Sequence, residues 1–125
     1  MDTAAYIGIP FEWRGRDHHG VDCYGLVCMA YEAEGIQLPD YAYMDAPELS
    51  RLFAAGLREP CWHEVTVPKA LDVVVFRING HPLHCGVMVD RHDFLHAREG
   101  INSCVERLAG PAWRNRVWGI YRYAW

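Results

Sequence analysis

The chain changes its periodicity once, at Pro60, and that change narrows the folds open to it. Before Pro60, apolar residues recur at helical spacing; after it, short β-branched runs alternate with turns. Val21-Asp22-Cys23 leads into Leu26, Val27, Ala30, Tyr31 and Glu34, one face of an amphipathic helix, with Asp22 as N-cap and Gly35 as stop. A second helix begins near Pro47 under an Asp45 cap and carries Leu49, Leu52, Phe53 and Leu57, with Gly56 near its end. Strands are predicted over 71–78, 84–89, 94–97, 103–107 and 117–123, the first ending at the turn signal Asn79-Gly80. Helices followed by consecutive strands on short turns predict an α+β fold, with N-terminal helices packed on an antiparallel sheet of about five strands. No repeat or linker divides residues 1–125, which read as a single domain.

Charge and cysteine content narrow the function. A net charge of −4 argues against a dedicated nucleic-acid binder, and no apolar run reaches the length needed for membrane insertion. Met1–Ala5 has neither a basic nor an apolar leader, so no signal peptide is read and a cytoplasmic site of synthesis is expected. Five cysteines cannot pair off completely, and free thiols are expected.

Cys23 stands out by position. As the first residue after the Asp22 cap, its sulfur lies beside unpaired backbone N–H groups, where the helix dipole favours a thiolate. Asp22 opposes that charge, so a histidine partner is needed. Of seven histidines, His84 and His96 fall on predicted strands and have fixed directions, whereas His18, His19, His63, His81 and His92 read as loop residues. Direct opposition of His84 and His96 requires a hairpin centred on Asp90 and places their Cβ atoms about 4.5–5.5 Å apart. A nucleophile, a base and an orienting residue follow: Cys23, His84 and His96. Taken singly, the cysteine reads as a small buried hydrophobe, and the histidines as sheet residues satisfied by backbone or water. Gly25 inside the helix suggests close approach of another backbone or of a substrate.

The segments Ile9-Pro10-Phe11-Glu12-Trp13-Arg14-Gly15 and Gly20-Val21-Asp22-Cys23-Tyr24-Gly25-Leu26-Val27 resemble those of the NlpC/P60 family of cell-wall cysteine peptidases. His84–Val89 and Phe94–Ala97 are similar to the family's two histidine strands, and Leu71–Phe76 to its "GDLVFF" strand without the Gly. The resemblance implies a papain-like fold and hydrolysis of an amide bond in peptidoglycan stem peptides, often D-Glu to diaminopimelate. It implies Cys23 as nucleophile, His84 as general base and acid, and His96 as the residue orienting His84. No cofactor or metal is implied. The run over residues 15–26 further resembles phage tail assembly members, implying tail-tip partners and action on the wall from a virion tail.

Departures from the family pattern mark a substrate and oxyanion region of Asp22, Tyr24, Phe11, Trp13 and Tyr6. Phe11 stands where the family often has Tyr, leaving Tyr6 or Tyr24 to supply a hydroxyl; Tyr24 replaces a Ser and is expected to crowd the site; Arg14 replaces a Gly. Three rival readings remain. His81, His84 and Cys85 suggest zinc, but no Cys-x-x-Cys pair exists and His84 and Cys85 alternate on a strand. A catalytically silent tail component on the same fold is the second. An acyltransferase is the third, disfavoured because permuted members place His before Cys. Cys28, Cys85 and Cys104 read as core packing, and Trp113 and Trp118 as sheet core.

Overall fold

The computed structural model describes residues 1–124. After a 3-10 turn at Ala4–Tyr6, strands β1 (Arg16–Asp17) and β2 (Gly20–Val21) form a small hairpin leading into helix α1 (Cys23–Glu32). Helix α2 (Ala46–Gly56) follows, then strands β3 (Trp62–Val65), β4 (Val73–Ile78), β5 (His81–Met88), β6 (Asp93–Arg98), β7 (Ile101–Arg107) and β8 (Val117–Tyr123). The fold class is the expected α+β. The main sheet has six strands rather than about five, in the antiparallel order β3-β8-β4-β5-β6-β7. The additional strand is β3, whose Trp-His-Glu-Val segment pairs with β8 along the sheet edge and places His63 in a strand, not a loop. His81 likewise opens β5.

Both helix caps form as read. Asp22 accepts from Gly25 N and Asp45 from Glu48 N. Helix α1 ends at Glu32, before Glu34, and Gly35 takes the left-handed φ of +80° that ends such helices cheaply. Asn79 and Gly80, at φ +51° and +79°, form the tight turn that twists β4 into β5.

Helix α1 lays Leu26, Val27, Ala30 and Tyr31 against the sheet face formed by Val73, Val75, Cys85, Val87, Leu95 and Ala97. The opposite face holds a second, smaller core of Val74, Phe76, Met88, Phe94, Trp113 and Ile120. Asp72, just before β4, is buried against Arg122 of β8, which donates to both its carboxylate oxygens at 2.8 and 2.7 Å. The sheet's far edge is closed by the N-terminal segment. Gly8 N donates to Ser103 O, Ser103 N to Ile9 O, and Ile9 N to the Ser103 hydroxyl, each at 2.8 Å. Among the described residues, no helix is long and apolar enough to cross a membrane.

Candidate active site

The approach to the site begins in the loop before α1. Val21 exchanges hydrogen bonds with Pro10 O and Glu12 N, so the segment 10–12 runs beside the strand that feeds Cys23. Arg14 adopts a left-handed φ of +64°, the conformation a Gly adopts without strain. Its N–H donates to Asp22 Oδ2 at 2.9 Å. Asp22 is fully buried, and Arg16 Nη1, Gly25 N and the Tyr43 hydroxyl supply its other donors. Two donors reach each oxygen, so the carboxylate fixes the helix start. Gly25 has a backbone reason: a Cβ there would collide with the Gly15 carbonyl oxygen.

Cys23 is therefore delivered, buried, at the N-terminus of α1, where its side chain interacts with those of Cys85 and His84. A hydrogen bond from the Cys85 thiol does most to lower the Cys23 pKa; burial opposes this, and His84 adds a further hydrogen bond and a favourable charge. Net, the Cys23 thiol ionises well below its ordinary value. Burial drives Cys85 the other way, and the neighbouring Cys23 adds to that rise. One sulfur is thus held as the anion and the other as the thiol donor.

His84 and His96 meet as anticipated, by a different register. The hairpin pairs Val87 with Leu95 and Met88 with Phe94, so it centres on Arg91, not Asp90. That shift sets the two histidines diagonally on one face instead of directly opposite. Diagonal neighbours are farther apart but within reach of long side chains. His84 Nε2 lies 2.8 Å from His96 Nδ1. Gly86 makes the room: a Cβ there would stand 2.9 Å from Leu95 O and 3.3 Å from His96 Cβ.

Two groups in this cluster were not anticipated. Glu106 of β7 places Oε2 2.5 Å from His96 Nε2, continuing the line from His84 through His96. A charged residue on a strand reads in sequence as a solvated face, and no signal there singles out Glu106. Trp113 is not in a strand but in the turn before β8. It packs against His84 at 5.6 Å, as Phe76 does at 5.7 Å, both at an interplanar angle of 27°, and the Trp113 and Phe76 rings lie 4.7 Å from each other on the same side of the imidazole. It also meets His96 edge-on at 5.1 Å. The buried Trp113 indole N–H stops short of full hydrogen-bond geometry but still helps His96 lower the Glu106 pKa against the effect of burial. Burial and the His84 charge push His96 down to about 4, with Glu106 pulling the other way, so His96 is neutral at ordinary pH.

Two of the aromatic residues expected around the nucleophile, Tyr24 and Tyr6, make their contacts elsewhere. Tyr24 turns away from the site, stacking on Tyr41 and Phe53 and donating to Pro39 O at 2.5 Å, so it neither crowds Cys23 nor offers it a hydroxyl. Tyr6 stacks on His18 and flanks Met29 and Glu32 on the outer side of α1. Phe11 and Trp13 pack edge to face, with Trp13 exposed, beside the Val21 segment. Cys28 is half-buried beside Tyr24, and Cys104 leaves the core to lie 3.8 Å from His96 Nε2. Trp118 is exposed.

A thiol at a helix N-terminus, set against a pair of imidazoles on an antiparallel sheet, defines an α+β chain with a thiol–imidazole centre. The NlpC/P60 family model matches residues 8–122, and the chain belongs to that family. Its fold is similar to that of an NLP/P60-family, lipoprotein-like protein of Staphylococcus aureus subsp. aureus Mu50, with TM-score 0.68 and 22% identity over 96% of this chain and 38% of that one. A NlpC/P60 family protein of Bacillus cereus ATCC 10987 gives TM-score 0.68 and 22% identity over 95% and 37%. The NlpC/p60 domain of the peptidoglycan hydrolase SagA gives TM-score 0.64 and 20% identity over 98% of this chain and 99% of that domain. The chain thus spans under two-fifths of the first two relatives and nearly all of the third.

Proposed function

We propose that the chain is a cysteine peptidase that hydrolyses an amide bond in peptidoglycan stem peptides, the D-Glu to diaminopimelate bond being the one assigned. The observation that carries the reading is the hydrogen-bonded line His84–His96–Glu106, set beside the buried Cys23 whose pKa His84 helps to lower. Its proton positions follow from its end. Glu106, held ionised, can only accept, so His96 carries its proton on Nε2 and presents Nδ1 as an acceptor. His84 must then carry a proton on Nε2, which leaves Nδ1 to serve Cys23. When Nδ1 takes the thiol proton, the resulting imidazolium is stabilised along the line by His96 and, through it, by Glu106.

In the forward reaction the Cys23 thiolate attacks the scissile carbonyl carbon, forming a C–S bond. His84 Nδ1–H protonates the leaving amine as the C–N bond breaks. Water then attacks the thioester, giving a proton to His84 and freeing the acid and the thiolate. Gly25 N and Leu26 N are occupied by Asp22, which leaves Cys23 N and Tyr24 N as the first-turn donors for the oxyanion.

The similar SagA domain comes from a peptidoglycan hydrolase, which supports the wall as substrate. We further assign the chain to a phage tail tip, acting during wall penetration, on the motif run over residues 15–26. The test is wild type against Cys23→Ala on purified muropeptides, read by mass spectrometry. Wild type releases new amino termini and the variant, with an unchanged circular dichroism spectrum, releases none. Equal products from both would end the peptidase reading and leave a silent tail component in its place.

A further inference from the structure

We propose that His96, Cys104 and Glu106 form a binding site for a zinc-class divalent ion, and that its occupancy switches the thiol–imidazole centre off. The site lies on two neighbouring strands. His96 of β6 stands directly opposite Cys104 of β7, and Glu106 is two residues further along β7, so all three share one face. Their ligand atoms lie within 4.8 Å of one another. His96 Nε2 is 3.8 Å from Cys104 Sγ and 2.5 Å from Glu106 Oε2.

The donor set selects the ion. One imidazole nitrogen, one thiol sulfur and one carboxylate oxygen suit zinc or cobalt and do not suit magnesium or calcium, which take oxygen ligands. Three protein ligands leave the fourth tetrahedral position to water. The His96 ring packs against Phe94 and Trp113. The Glu106 side chain is 35% exposed and is the movable member; a withdrawal of about 1 Å opens the pair to the ligand spacing of a tetrahedral ion. Thiolate and carboxylate together balance the ion's charge. Arg98, whose guanidinium lies over the Trp113 ring, is the cation facing the cluster and also favours the thiolate.

The consequence for the centre, which rests on the function proposed above, follows from proton positions. Binding releases the Cys104 thiol proton and the His96 Nε2 proton to solvent. With Nε2 on the ion, His96 stays neutral by taking onto Nδ1 the proton of His84 Nε2. Nδ1 then donates towards His84 instead of accepting from it. His84 can no longer hold two protons, and Cys23 loses its imidazolium partner.

The experiment titrates cobalt(II) into the full-length Cys23→Ala protein, which removes the other site-proximal thiolate, and follows the thiolate-to-cobalt charge-transfer band. The expected result is one equivalent bound with that band present, displaced by zinc. Cys104→Ala in the same background abolishes the band and weakens binding at least about 10-fold. In the Cys23 protein, zinc suppresses muropeptide cleavage, and Cys104→Ala raises the inhibitory concentration by a similar factor while leaving metal-free activity unchanged. A band that is absent, or present equally in both proteins, overturns the site. A Cys104-dependent band with cleavage unaffected by zinc overturns the switch. A chain that never cleaves fails the peptidase reading, and the cobalt band still tests the site.

Discussion

Glu106 fixes which nitrogen of His96 carries the proton, and through it the direction of every hydrogen bond back to Cys23. It touches no reacting atom and is a positioning residue. Glu106→Gln keeps the size and removes the charge. We expect kcat to fall roughly 10-fold with KM little changed, and the acid limb of the pH profile to move up towards the ordinary thiol value of about 8.5. An unmoved limb would reduce Glu106 to packing. The same limb in the native chain carries its own sign. A depressed Cys23 pKa means the thiolate persists as pH falls below 8.5 and disappears only as pH drops through the lower folded value. The rate of iodoacetamide modification, read peptide by peptide, should therefore hold up into mildly acid solution at Cys23. It should fall away much earlier at Cys28, Cys85 and Cys104, whose burial raises their pKa values.

Elements differ in how openly the sequence states them. Helix starts were legible because a cap is one residue type at one place: Asp22 and Asp45 both bind the N–H three residues on. Asn79-Gly80 was legible for a similar local reason. Strand β3 was not, because Trp-His-Glu-Val neither alternates nor buries a full face and is held by pairing with β8, some sixty residues away. The shared parity of His84 and His96 was readable, but the offset of two between them is set by the hairpin's turn. Glu106 and Trp113 enter the site only through tertiary pairing, which local pattern does not encode. Gly25 was readable as a close approach, and the approaching group is the Gly15 carbonyl. Gly25→Ala forces backbone against backbone, with no flexible side chain to yield. We expect a loss of about 2 kcal/mol by urea denaturation with the m-value unchanged.

At the scale of the whole molecule, the N-terminal segment and β7 hold each other in place through Ser103. Its hydroxyl accepts from buried Ile9 N and donates to Tyr6 O, bonds spanning 94 and 97 residues of sequence. Ser103→Ala leaves the Ile9 N–H without its acceptor and should cost about 1–3 kcal/mol. Hydrogen exchange should speed up first at Gly8 and Ile9, well before the central strands β4 and β5; protection unchanged at those two amides would show that the segment is held by something else. The same long-range construction has a consequence in time. Cys23 is translated before its partners: the imidazoles, the carboxylate behind them and the indole packed on His84 follow over the next 90 residues, ending at Trp113. At ordinary translation rates that interval is roughly 5–20 s. Until it has passed, the nascent chain carries a thiol without its imidazole, and the ribosome itself keeps the nucleophile silent.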